Sequence, residues 1–152
     1  GFWSFTKILR AHIFPGAPTE YEDDASCRHL IAFVGDSPIG MGRWRISQDA
    51  ADNSNIAVVT IEHFGILASK RQQGYGTRFL RRIVEDATGK LTQMRLRVPA
   101  LVAYVRDTNE TALPVVNVFQ ACGFVLDPQR HGTSDMPYLR LSFTQSAEST
   151  IE

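Results

Sequence analysis

The strongest constraint on this chain is the passage from IAVVTIEHFGI into LASKRQQGYGTRFLRRIVEDA, residues 56–87. Its first part is rich in Val, Ile and Thr and too apolar for an exposed position, so it predicts a central β-strand. The strand runs into Gly74 and Gly76, after which Tyr75, Phe79, Leu80, Ile83, Val84 and Ala87 recur at helical spacing with arginines on the other faces. A strand that turns through glycine into a helix presents unbonded backbone N–H groups where the macrodipole is positive. Such a turn can bind phosphate. Gly74 and Gly76 keep the backbone bare, Thr77 adds a hydroxyl, and Lys70, Arg71 and Arg78 supply charge. A tight turn with no ligand fits the same two glycines. Two phosphate motifs are absent: the chain has no Gly-Lys-Ser/Thr, and Phe79 stands where a dinucleotide loop needs its third glycine.

Around this passage the other elements fall into order. Phe2, Phe5, Ile8, Leu9 and Ile13 predict a first helix that ends at Pro15-Gly16. HLIAFVGDSPIGMGRWRI predicts a hairpin with its turn near Gly35 to Pro38. The polar loop SQDAADNSN is expected to be mobile, and Gly89 is expected to stop the second helix. TQMRLRVPALVAYV then reads as a strand bent at Pro99. A third helix is expected from about Asn109 or Thr111 to Cys122, with Pro114 in its first turn and Gly123 as its stop. FVLD and PYLRLSF read as two last strands before a polar, frayed tail, residues 144–152. The expectation is one mixed α/β domain over residues 1–152, a sheet with helices on its faces.

The bulk numbers exclude more than they propose. Lysine plus arginine and aspartate plus glutamate balance at 16 each, so net charge suggests neither nucleic acid nor an anionic membrane as partner. No apolar run has the length of a bilayer span. Cys27 and Cys122 are far apart and form no C-x-x-C, so neither a zinc site, nor any other metal centre, nor a disulfide framework is expected. A reducing, cytoplasmic compartment follows as the expectation, although Gly1-Phe2 is not a natural start and leaves a targeting segment open. Acid gathers at Glu20, Glu22, Asp23 and Asp24, either as a solvated loop or as a lure for a cationic partner.

RQQGYG resembles the Arg/Gln-x-x-Gly-x-Gly/Ala signature of the GNAT superfamily of acetyl-CoA-dependent N-acyltransferases, and it stands between strand and helix as that signature does. VFQACGF is similar to the family's late helix ending in Gly-Phe, and DSPIGMGRWRI to its second and third strands. Element order agrees from about Phe5 to Phe143. The resemblance implies a mostly antiparallel central sheet that splays at the family's fourth strand, here the segment carrying Glu62. It also implies that the pantetheine arm of acetyl-CoA pairs with backbone from Phe64 through Ile66 to Leu67. The pyrophosphate would rest on the amides of Arg71, Gln72, Gln73, Gly74, Tyr75, Gly76 and Thr77.

An amine acceptor must lose a proton to become a nucleophile, since alkylamines titrate near 10. Glu62 is the candidate base. On an extended strand it shares a face with Thr60, Phe64 and Ile66, an apolar wall that favours a proton-accepting carboxylate, and the resemblance gives the family a glutamate there. The alternative is a structural carboxylate bonded to Arg43 or Arg45. His63 is expected on the opposite face as a packed histidine, and His29 as structural. The family's late-helix tyrosine, which protonates the leaving sulfur, is replaced by Phe119, and its asparagine by Ala112. Tyr104 or Tyr138 could replace the hydroxyl, and Asn109 or Asn117 the amide. The expected activity is N-acetyl transfer from acetyl-CoA to a primary amine of a small molecule, peptide or protein, by a monomer or homodimer. The alternatives are an acyl-CoA-binding or sensing module with little chemistry, and a plain nucleotide-binding domain.

Overall fold

The computed structural model describes residues 2–48, 56–107 and 112–144. Of the expected loop at 47–55 and tail at 144–152, Ser47 and Gln48 belong to β2 and Thr144 to β7, while 49–55, 145–152, Asn109 and Thr111 lie outside the described residues. The elements are α1 (Phe2–Ile13), β1 (Arg28–Val34), β2 (Ser37–Gln48), β3 (Ala57–Ile66), α2 (Tyr75–Gln93), β4 (Ala100–Arg106), α3 (Ala112–Ala121), β5 (Val125–Leu126), β6 (His131–Gly132) and β7 (Pro137–Thr144). The seven strands form one sheet in the order β1-β2-β3-β4-β7-β5, with β6 attached to β7. All pairings are antiparallel except β3 with β4, which α2 joins as a crossover.

Helices cover both faces. Met41 of β2 packs with Leu9 and Ile13 of α1. The next residue, Gly42, faces Ile83 of α2 so closely that a methyl group would collide with it. Neighbours on one strand point to opposite faces, so α1 lies on one side of the sheet and α2 on the other. The main core lies on the α2 side, where Trp44, Val59, Ile61, Leu101 and Leu141 meet Leu80 and Ile83 of α2 and Val116 and Phe119 of α3.

Three expectations need correction. Gly89 does not end α2, which continues to Gln93, so the segment before Pro99 is helix and loop rather than strand. Ala87 and Leu91 are both buried on the core side, so the apolar stripe carries through the glycine. The chain leaves the helix only at Arg95, whose φ is 54°. Pairing of β6 with β7 was not expected from sequence, because two residues carry no periodic signal. The third correction is a β-bulge. From Met41 to Arg43, β2 advances two residues, while β3 advances three from Gly65 back to Glu62. His63 sits at this irregularity with a left-handed φ of 51°. Alternation along β3 therefore breaks: Val59 and Ile61 face the α2-side core before it, and Phe64 and Ile66 after it.

The position of Gly89 has a testable consequence. A Cβ there meets nothing within 4 Å and the backbone is helical. Gly89→Ala is expected to stabilise the protein by about 0.5–1 kcal/mol, read as a higher urea midpoint at constant m. A left-handed helix stop at this position would give the opposite sign.

Candidate active site

The parallel pairing of β3 with β4 spans only Val59↔Leu101 to Ile61↔Ala103. Beyond it β3 runs on to Ile66 and β4 to Arg106 with no ladder between them. This is the splay, a notch whose walls are the edges of two strands. At its far end the Leu67 amide donates to Ile39 O (2.7 Å), and Arg71 Nε donates to Ile66 O (2.9 Å). The strand end is thus tied to β2 on one edge and to the loop through Arg71.

After a 3-10 turn at Ala68–Lys70, the loop reverses through Gln72 (φ 62°) and Gly74 (φ 82°). Helix α2 starts at Tyr75 with no side-chain cap, so the first-turn amides of Tyr75, Gly76 and Thr77 are offered no side-chain acceptor. Arg71, Gln72, Gln73 and Gly74 are exposed. The Arg71 amide donates to Ala68 O at 3.3 Å. The two glycines act differently: Gly74 supplies a left-handed backbone with open space around it, whereas a Cβ at Gly76 would press on Val118 of α3.

On the α1 side the bulge separates Glu62 from Phe64 and Ile66. Glu62 shares its face with Thr60. Instead of an apolar wall it meets two guanidiniums. Arg45 donates to it from Nε (2.8 Å) and Nη2 (3.3 Å), and Arg43 Nη2 lies 3.1 Å away. His63 lies on this same side, stacked on Tyr21 with centroids 4.3 Å apart and edge-on to Phe14. Burial, reinforced by the charges of Arg43 and Arg10, pushes its pKa down to about 4. His29 is structural as expected, its Nε2 lying 2.8 Å from Asp24 O.

The guanidiniums are anchored by the loop after α1. Arg10 makes a bidentate pair with Asp24 (2.8 Å twice), and Arg43 reaches Asp24 (2.8 Å) and Asp23 (3.0 Å). Arg10 and Arg43 also lie over the Tyr21 ring. Burial opposes ionisation of Asp24, but the Arg10 hydrogen bonds and the Tyr21 amide outweigh it and hold the carboxyl well below the usual range. A cation is poorly served here. Asp23, Cys27 and Glu62 bring possible ligand atoms within 4.8 Å of one another, yet both carboxylates already face arginines.

The late-helix positions divide. Phe119 is 1% exposed and packs edge-on against Phe64 and Phe124, so its side chain is core and not notch lining. Asn117 is exposed on α3. The sequence did not single out Arg10 or Asp24 as partners; a buried arginine on a first helix gives no signal until the loop is seen to fold over it.

A family model for the acetyltransferase (GNAT) family matches residues 3–124. The chain belongs to the GNAT family. Among solved structures it is similar to the aminoglycoside acetyltransferase AAC(6')-Ib in complex with coenzyme A (TM-score 0.70, 18% identity, 99% of this chain and 92% of that one). It is also similar to a GNAT acetyltransferase from Elizabethkingia anophelis with acetyl-CoA bound (TM-score 0.65, 14% identity, 91% and 89%). A ribosomal-protein alanine N-acetyltransferase from Escherichia coli aligns with TM-score 0.64 at 12% identity over 96% and 90%. At these identities the likeness is one of fold. No curated protein matches the chain. As a GNAT member it is an acyltransferase, with the splayed, mostly antiparallel sheet of that family. Among the described residues no helix is long and apolar enough to cross a membrane.

His63 gives this GNAT domain a pH signature. Its folded pKa lies below the unfolded value near 6.5, so its contribution to stability is full above pH 6.5 and is lost as pH falls toward 4. The expected result is a declining unfolding free energy across that window. His63→Asn, which tolerates positive φ and does not titrate, flattens the decline. Asp24→Asn leaves Arg10 and Arg43 short of a buried counter-charge and is expected to cost about 3–5 kcal/mol in the same denaturation assay.

Proposed function

We propose that the protein is an N-acetyltransferase that moves an acetyl group from acetyl-CoA to a primary amine of a small molecule, peptide or protein. The observation that carries this reading is the pairing of an uncapped α2 N-terminus with a notch that ends beside Glu62. The site fits the cosubstrate: Gly74 leaves open space, Gly76 lets α2 approach α3, and the first-turn amides are available to a pyrophosphate. Gln72, Gln73, Gly74, Tyr75, Gly76 and Thr77 would hold the pyrophosphate, and the β3 edge at Phe64 and Gly65 the pantetheine. When bound, acetyl-CoA supplies an acetyl group activated as a thioester.

The chain supplies the proton chemistry. Glu62 is oriented by Arg45 and Arg43 on β2. A carboxylate offers more acceptor positions than these contacts fill, so Glu62 keeps capacity for the amine proton, directly or through a water. Glu22 in the loop after α1 gives a cationic amine an attractive approach, whereas Glu20 is paired with Lys7. A second reading is favoured by Phe119: its carbon-only side chain in the core suits an acyl-CoA-binding module with little turnover.

Free-thiol release from acetyl-CoA over a panel of polyamines, aminoglycosides, amino acids and lysine peptides separates the two. The enzyme reading expects amine-dependent release that falls about a hundredfold in Glu62→Gln. Thermal stabilisation by acetyl-CoA without consumption under any amine would leave the binding module. Gly76→Val is expected to abolish stabilisation by acetyl-CoA in either case.

A further inference from the structure

Helix α1 is apolar over more of its circumference than one buried face requires, and it starts at the margin of the sheet. We propose that this margin, β1 together with the first turns of α1, is the interface through which two copies of the chain form a two-fold symmetric dimer with one continuous sheet.

The placement follows from contacts along α1. Trp3 packs edge-on against His29 of β1 and Phe5 against Phe33 of β1, whereas Ile13 lies against Gly65 of β3. The helix therefore crosses the sheet, and its N-terminal turns lie over the outermost strand. Thr6, Leu9, Arg10 and Ile13 form its buried side. Phe2, Phe5 and Ile8 carry apolar surface onto the other side, and Phe33 and Val34 extend it along the end of β1. Each of these five keeps between 36% and 57% of its surface exposed. A surface helix ordinarily places polar residues there.

Strand β1 pairs with β2 alone, and among the described residues no strand lies along its outer edge. Proteins guard such edges with lysine, proline or inward-pointing charge. RHLIAFV contains no lysine, proline or acid, and its one guanidinium, Arg28, is held by Asp86 of α2 at 2.6 Å. The irregularity between Ala32 and Phe33 puts the extra residue on β2, the inner strand.

A second copy fits this surface. Antiparallel pairing of two β1 strands about an axis normal to the sheet leaves both α1 helices on one face, so that Phe5 and Phe33 of each copy approach the seam. The patch offers roughly 400 Å² of apolar surface. That is close to the apolar share of the about 800 Å² that each copy contributes to a stable dimer. The long cations of α1 are already engaged, Lys7 with Glu20 and Arg10 with Asp24, which leaves none to seat the helix on anionic lipid. A formal net charge of zero at pH 7 sets no repulsion between copies.

Sedimentation of the parent over a range of concentrations is expected to show a reversible monomer–dimer equilibrium. Phe33→Lys and Ile8→Glu each enter the interface twice across the axis and are expected to weaken association about a hundredfold or more. Leu113→Lys, at an exposed apolar position on α3, is expected to dimerise as the parent does. Hydrogen exchange locates the contact: β1 amides that do not bond to β2 should exchange more slowly in the parent dimer than in Phe33→Lys. Equal melting temperatures of parent and variants in dilute solution show that the fold is intact. A parent that is monomeric at every concentration, a dimer that both variants leave unchanged, or protection confined to another edge such as β5 would overturn the proposal. So would a monomer that cosediments with phosphatidylserine vesicles through Phe33, which would assign the patch to a lipid surface.

Discussion

The buried ion chain from Arg10 through Asp24 and Arg43 to Glu62 ties together elements that the hydrophobic core does not reach. The α1 side has only a small apolar cluster of Leu9, Ile13 and Met41. Charge and aromatic stacking complete the attachment of α1 to the sheet, with Tyr21 sandwiched between His63 and two guanidiniums. A buried charge that loses its partner is costly, so each member constrains the next. The loop after α1 can take few positions that satisfy Arg10, Arg43 and the Tyr21 ring together. The same contacts set where the Glu62 carboxylate stands at the mouth of the notch.

Sequence revealed those parts of the fold that rest on period and punctuation. The strand through Val58 and Val59, the helix built on Phe79, Leu80 and Ile83, the turn at Gly35 and the stop at Gly123 (φ 93°) all carry local chemistry that allows few alternatives. The bulge at His63 carries none. Left-handed backbone is usually supplied by glycine or asparagine, and a histidine held there by stacking on Tyr21 is a tertiary effect. That one unreadable residue decided which residues share the face of Glu62. The expected apolar wall became a pair of arginines. Gly89 shows the converse error, a residue with a strong local preference overruled by burial of Ala87 and Leu91 on either side of it.

Among the candidate site residues, the glycine loop was legible because backbone exposure demands glycine, whereas side-chain roles depended on register. Phe119 could be counted into place from Gly123, but its burial between Phe64 and Phe124 was visible only in three dimensions. Tyr104 and Tyr138 were equivalent as letters. Pairing of β4 with β3 on one side and β7 on the other distinguishes them.

The short ladder between β3 and β4 also places an unpaired strand edge inside a sheet and not at its margin. Open edges ordinarily invite another sheet and lead to aggregation. Here the open edge lies between two strands of one sheet, so a second sheet has no margin to add to at that place. The molecule thus keeps a sticky backbone surface without exposing it to copies of itself.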